Sequence, residues 1–195
     1  DDVHRFEKPQ AHLDSLDTPH SRMTGAFVHG SDMWEILVDG DHGGEKIVGF
    51  DRENPPNELR HRSAYVQNYH FYMPPLNGYY WHWLWGKSLW TKEESYSGVG
   101  WHYDGKHMSS GTATYECYVT PFDALNQDWA ELSDPHDLME DAVIGLSWSF
   151  LDADDKDNDY DAFWSFNRQG QICCDGAFLA DFKLMPIEDE LFDKE

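Results

Sequence analysis

Six aspartates, Asp152, Asp154, Asp155, Asp157, Asp159 and Asp161, crowd one short stretch of the chain. Carboxylates this close repel one another, and a bound cation relieves that repulsion most simply. From Asp155 onward they fall on every second residue, so a curled loop can turn several inward. Calcium takes six to eight oxygens, which alternating Asp side chains and backbone carbonyls can supply. The loop lacks the turn glycine of an EF-hand and no helical pattern flanks it, so it is not an EF-hand. The expectation is Ca2+, against the plainer reading of a solvated acidic turn. A second candidate is Asp39-Gly-Asp-His-Gly-Gly44, with Asp39, Asp41 and Glu45 as ligands. Asp and Gly also populate hairpin turns for conformational reasons alone.

The other chemistry-bearing residues are aromatic. Nine tryptophans stand in 195 residues. Trp81, Trp83, Trp85, Trp90, Trp101 and Trp164 are candidates for stacking on the C–H faces of sugar rings, with Arg62, Gln67, Glu116 and Arg168 as hydrogen-bonding groups beside them. Against each stands the ordinary role of a β-sandwich tryptophan, which is to fill the core; alternation gives that role to Trp34 and Trp148. The eleven histidines form neither HxxxH nor HExxH, which argues against zinc, and His82 reads as structural. No nucleophile elbow, phosphate loop or dinucleotide loop occurs. Glu35 and Asp39 come nearest to a paired-carboxylate site and read better as strand and turn.

Short strands must position these groups. Met33–Val38 alternates and ends in the glycine turn. In Ala142–Phe166, Ile144, Leu146, Trp148 and Phe150 alternate with Gly145, Ser147 and Ser149, a period of two that predicts a strand with one face in a core. It enters the acidic loop and leaves as a second aromatic strand, Phe163 to Phe166. Further strands are expected over 64–73, 79–85, 112–120 and 176–185, with shorter ones at 24–28 and 46–50. A polar loop is expected around Gly98 and Gly100. Phe122, Leu125, Trp129 and Leu132 recur at helical spacing, predicting one short helix, and 135–141 a second helical turn. The sum is an all-β, antiparallel β-sandwich of jelly-roll type with one or two short helices. Residues 1–25 read as an irregular arm, 26–187 as the domain and 188–195 as an acidic tail.

Thirty-seven acidic against fourteen basic residues give a formal charge of −23. That excludes nucleic acid and anionic membrane surfaces as partners, since both need cationic patches. No apolar run is long enough for a transmembrane helix. Cys117, Cys173 and Cys174 make neither a zinc spacing nor a disulfide framework. The start without Met suggests a piece of a larger polypeptide.

The succession WEILVDGDHGG, AYVQNYHF, ATYECYVTPFDAL and IGLSWSFLDADDKDNDYDAFWSF resembles the family 9 carbohydrate-binding modules and their relatives in the DOMON-like β-sandwich superfamily. Tyr115-Glu116 through Pro121 matches that family's "YE…IP" strand. The resemblance spans residues 33–185. It implies two antiparallel sheets, an oligo- or polysaccharide held between aromatic side chains, calcium, and non-catalytic function, as in an accessory module of a polysaccharide-degrading enzyme. An extracellular, periplasmic or cell-surface location follows from that role. The rival readings are a haem-binding electron-transfer domain of the same superfamily, using Met73, Met108, His102 and His107, a glycan lyase or hydrolase, and a structural domain of a surface assembly.

Overall fold

The structure is a computed structural model that describes residues 32–44, 64–72, 82–84, 89–105, 110–126, 129–152, 161–169, 172 and 175–186. The expected strands at 24–28 and 46–50, the arm and the tail lie outside these. Ten strands appear among the described residues: β1 (Met33–Asp39), β2 (Gln67–Tyr72), β3 (His82–Leu84), β4 (Ser97–Gly105), β5 (Gly111–Val119), β6 (Phe122–Ala124), β7 (Asp134–Pro135), β8 (Val143–Asp152), β9 (Ala162–Ser165) and β10 (Ala180–Lys183). The main sheet runs β10-β8-β1-β2-β3, and every pairing in it is antiparallel. The edge of β8 away from β1 is shared: β10 takes Val143–Leu146 and β9 takes Ser149–Asp152. The nine-residue strands β4 and β5 form a separate antiparallel hairpin. The fold is an all-β sandwich, as the strand periodicity predicts.

Direct cross-strand partners share a face, so the register sorts the main sheet. Trp34 pairs with Phe71 and Phe150, and Ile36 with Tyr69 and Trp148, on the first face. Glu35 pairs with His70 and Ser149, and Leu37 with Asn68 and Ser147, on the second. The β4–β5 hairpin covers part of the first face. There Ile36, Val38, Tyr69, Phe71, Phe122 and Leu125 form a buried core, with Val99, Cys117, Val119, Trp90 and Tyr96 packed on it. Each fully buried large apolar side chain of this kind contributes about 1.5–3 kcal/mol. The second face is covered too: Leu37, Val66, Ile172 and Leu179 cluster there with Phe163 and Phe178.

That second cover corrects the expectation of a half-solvated β8. Ser147 and Ser149 are fully buried, whereas Phe150 on the supposed core face is 40% exposed. Trp34 and Trp148 are half-buried, packed against the core from its margin.

Three further expectations are overturned. The helix over 122–132 is absent. Phe122 is instead held extended by Gln67, whose amide nitrogen donates to the Phe122 carbonyl (3.0 Å) and whose amide oxygen accepts from the Phe122 N–H (2.9 Å). A side chain that engages both backbone groups of one residue imitates a neighbouring strand and outweighs a weak helical spacing. Among the described residues of this stretch, helical structure is limited to a 3-10 turn, Ala130–Leu132. The second helical turn is replaced by β7, which pairs with β6. Gly98 and Gly100 sit inside β4 rather than in a loop. At Gly98 a Cβ would fall 2.6 Å from the Tyr118 ring, so that ring fills the space a side chain would take. The last strand is also shorter than expected, because a 3-10 turn over Gly176–Phe178 precedes β10.

Candidate functional site

Towards the β8 edge of the first face, Phe150, Trp164 and Phe166 are exposed. The floor there is aromatic. Trp148 stacks on Phe166 with ring centroids 4.1 Å apart, and Phe182 leans against both at 5.9 and 5.8 Å. Phe150 stacks on Trp34 at 6.2 Å and stands in register with Trp164 across β8 and β9. Phe166 continues the face beyond β9, with its N–H donating to the Trp148 carbonyl at 2.9 Å. Trp164 is 56% exposed and Phe166 50%. Rings stacked on one another and anchored in or beside strands would lose little further freedom if a flat ligand settled on them.

The hairpin supplies a second set. Val99, Trp101 and Tyr103 pair with Cys117, Tyr115 and Ala113 on its inner side. Val99 and Cys117 reach the core, while Trp101, further out, is 41% exposed. The Tyr115 hydroxyl is buried without a hydrogen-bond partner among the described residues. Burial, then the charges of Asp32 and Tyr103, push Tyr115 up to about 12. Burial, with Glu116 adding, likewise pushes the Cys117 thiol up to about 11.

The candidates from sequence fall into distinct groups. Trp164 and Trp101 are exposed aromatics. Trp90 is a core residue: it meets Tyr96 and Phe122 edge-on at 4.8 and 5.5 Å, and its Nε1 donates to the Asn126 carbonyl at 3.1 Å. Gln67 is fully buried with its amide committed to Phe122, so it is a strand clamp and not a surface contact. Arg168 is exposed, in a left-handed conformation (φ 58°) in the turn that follows Phe166. Arg62, Trp81 and Trp85 lie outside the described residues, and of Trp83 only the backbone, in β3, is described. Phe150, Phe166 and Phe182 join the floor although no motif in the sequence marks them. The alternation in β8 puts Phe150 in the core, whereas the fold leaves it 40% exposed.

The acidic candidates separate as well. Asp154, Asp155, Asp157 and Asp159 lie outside the described residues, whereas the loop's ends are defined. The Asp161 N–H donates to the Asp152 carbonyl at 2.7 Å and closes its base. In the glycine turn, an Asp39 carboxylate oxygen accepts from the Gly44 N–H (2.9 Å) and one of Asp41 from the Gly43 N–H (3.0 Å). His42 Nε2 lies 2.9 Å from an Asp181 carboxylate oxygen. This is the conformational use of Asp and Gly. Among the described residues, no group of three or more His, Cys, Asp or Glu is arranged to hold a metal ion.

A buried polar row crosses the second face. His70 Nε2 lies 2.6 Å from one Glu35 carboxylate oxygen, and the Ser149 hydroxyl donates to the other at 2.6 Å. Serine, histidine and a carboxylate are the residue types of a hydrolytic triad, but here both partners bond the carboxylate and the serine does not face the imidazole. The row is a carboxylate tie across three strands, with no activated nucleophile.

No protein-family profile matches the sequence, and no curated protein matches it. Among solved structures, the chain is similar to a carbohydrate binding module family 9 (CBM9) from Caldicellulosiruptor kristjanssonii in complex with cellotriose. The TM-score is 0.52 at 10% identity, over 86% of this chain and 65% of that one. The match therefore takes in less than two thirds of that protein's length, and at this identity it speaks for the fold. The chain has the β-sandwich fold of a family 9 carbohydrate-binding module, as the order of its strand motifs predicts.

Proposed function

We propose that the chain is a non-catalytic carbohydrate-binding module that takes an oligo- or polysaccharide on the open aromatic floor of β8, β9 and β10. The carrying observation is the set Phe150, Trp164 and Phe166, exposed together on one sheet face and backed by Trp148 and Phe182. The C–H faces of a pyranose stack on such rings, and the neighbouring fold is one whose solved member holds cellotriose. Cello-oligosaccharide is accordingly the first probe. Trp164→Ala and Phe166→Ala should each weaken its binding by about tenfold or more, the equivalent of about 1.4 kcal/mol, with the melting temperature held. Titration calorimetry reads the affinity, and unchanged binding in both variants would overturn the assignment.

The same reading makes the Asp152–Asp161 loop a calcium site that stiffens the β8–β9 hairpin under Trp164. The closed base at Asp152 and Asp161 supports it, since it gathers the ends of a carboxylate-rich segment. Calcium would supply charge neutralisation and a fixed loop, not reaction chemistry. The module would work outside the cytoplasm as one part of a larger polysaccharide-handling protein.

A further inference from the structure

The β4–β5 hairpin has an outer face as well as the inner one that meets the core. Its register puts Gly98 beside Tyr118, Gly100 beside Glu116 and His102 beside Thr114 on that outer side, because direct partners share a face and alternate residues follow them. Tyr118 is 52% exposed, yet its ring is fixed at both ends. The ring lies across Gly98, where a Cβ would fall 2.6 Å from it, and its hydroxyl donates to the Glu94 carbonyl. Two residues along β4, Gly100 leaves a bare recess beside that ring. Glu116, His102 and Thr114 stand around the recess. All three are exposed, and among the described residues no hydrogen bond or ion pair engages their side chains.

Glycine inside a strand weakens it, and it marks a bulge, a close approach of another backbone, or a ligand. At Gly100 the pairing runs on unbroken from Val99–Cys117 to Trp101–Tyr115, so there is no bulge. A Cβ there would come no nearer than 4.0 Å to any described atom, so no other backbone crowds the position. A ligand is the remaining reason.

Resting on the carbohydrate reading above, we infer that the outer face of this hairpin is a second glycan contact, which takes a neutral pyranose unit with its ring on Tyr118 and its hydroxyls in the Gly100 recess. Tyr118 offers a flat apolar surface to the C–H face of the sugar. The Glu116 carboxylate accepts from sugar hydroxyls, and hydrogen bonds to a charged group are the stronger kind. Thr114 and His102 can both donate and accept. Neither strand carries a lysine or arginine to receive an anion, so a hydroxyl-rich neutral ring fits this face and a uronate does not.

An amide NMR titration of the full chain and of its Trp164→Ala variant with cellotetraose tests the inference. In Trp164→Ala, where the floor is disabled, the amides of Gly100, His102, Thr114 and Glu116 should still shift along a saturable curve. Two further changes are made in that background. Gly100→Val fills the recess with a residue that strands favour, and Glu116→Ala removes the acceptor. Each should weaken the remaining binding by about tenfold or more, the scale of one hydrogen bond to a charged group, while both variants still melt cooperatively.

Shifts confined to β8, β9 and β10 in the parent chain would overturn the inference and leave the carbohydrate reading standing. Hairpin shifts that vanish with Trp164→Ala would do the same, as would hairpin binding unchanged by both Gly100→Val and Glu116→Ala. Shifts on the hairpin alone would uphold this contact and overturn the floor. Shifts on neither would overturn both readings.

Discussion

At the scale of single residues, side chains and glycines settle which faces are filled. Gly111 is the tightest position in the hairpin: a Cβ there would lie 2.5 Å from the Asp104 carbonyl oxygen, a backbone atom that cannot swing aside. Gly100, in the same hairpin, would place its Cβ no nearer than 4.0 Å to anything. Gly111→Ala should therefore cost about 1–3 kcal/mol by overpacking, while Gly100→Ala should stay within about 0.5 kcal/mol of the parent. Denaturant melts compare the two directly, and equal losses would contradict the packing described. Gln67 shows a side chain deciding backbone conformation in the same way. It acts as a length of strand, and this is why Phe122 is extended despite the helical spacing around it.

At the scale of elements, the sheet is held by what crosses its strands. Glu35, central in the His70–Glu35–Ser149 row, is buried with both carboxylate oxygens bonded. Removing one partner of such a network leaves buried charge or dipole uncompensated. Glu35→Ala should destabilise by about 3–5 kcal/mol, and Ser149→Ala, which removes one hydrogen bond to a carboxylate, by about 1.5–3 kcal/mol. Chemical denaturation with both variants checks the order, and a Ser149→Ala loss equal to that of Glu35→Ala would refute it. The β8–β9 hairpin is the other decisive element, since it carries exposed rings on both arms and the acidic loop at its turn. Calcium in excess of EDTA should raise the melting temperature beyond what sodium chloride of equal ionic strength achieves, because a ligand of the folded state alone stabilises it. An identical response to the two salts would reduce the acidic loop to a solvated turn.

At the scale of the whole molecule, ionisation of buried groups sets an alkaline limit. The Cys117 thiol moves from 9.0 to about 11 and Tyr115 from 10.0 to about 12, and burial raises Tyr69 too. In each case the protonated form is favoured by folding, so the stabilisation is whole below the unfolded value and is lost as pH rises through the folded one. Stability should fall from about pH 9 to pH 12. Cys117→Ala should flatten the earliest part of that fall, as thermal melts across the range would show; a melting temperature constant from pH 8 to pH 11 would argue against these burials. The net charge of −23 acts on the whole body as well: self-repulsion weakens the compact state, so the salt control in the calcium experiment should itself show some stabilisation.

The sequence by itself determined the all-β class, the strands at β1, β5, β8 and β9, the hairpin around the acidic loop and the likeness to family 9 modules. The class, strands and hairpin follow from alternation and turn chemistry, which act between near neighbours, and the likeness from the order of the strand motifs. It also named Trp101 and Trp164 among six tryptophans as stacking candidates, and both are exposed. Only the tertiary structure decided that Phe150, Phe166 and Phe182 share that floor, that Trp90 and Gln67 belong to the interior, and that the serines of β8 are buried. Period two says that two faces differ, but not what covers each one. Cover depends on where a hairpin that ends 24 residues before β8 comes to rest, and on a glutamine that closes on Phe122 from fifty-five residues before it.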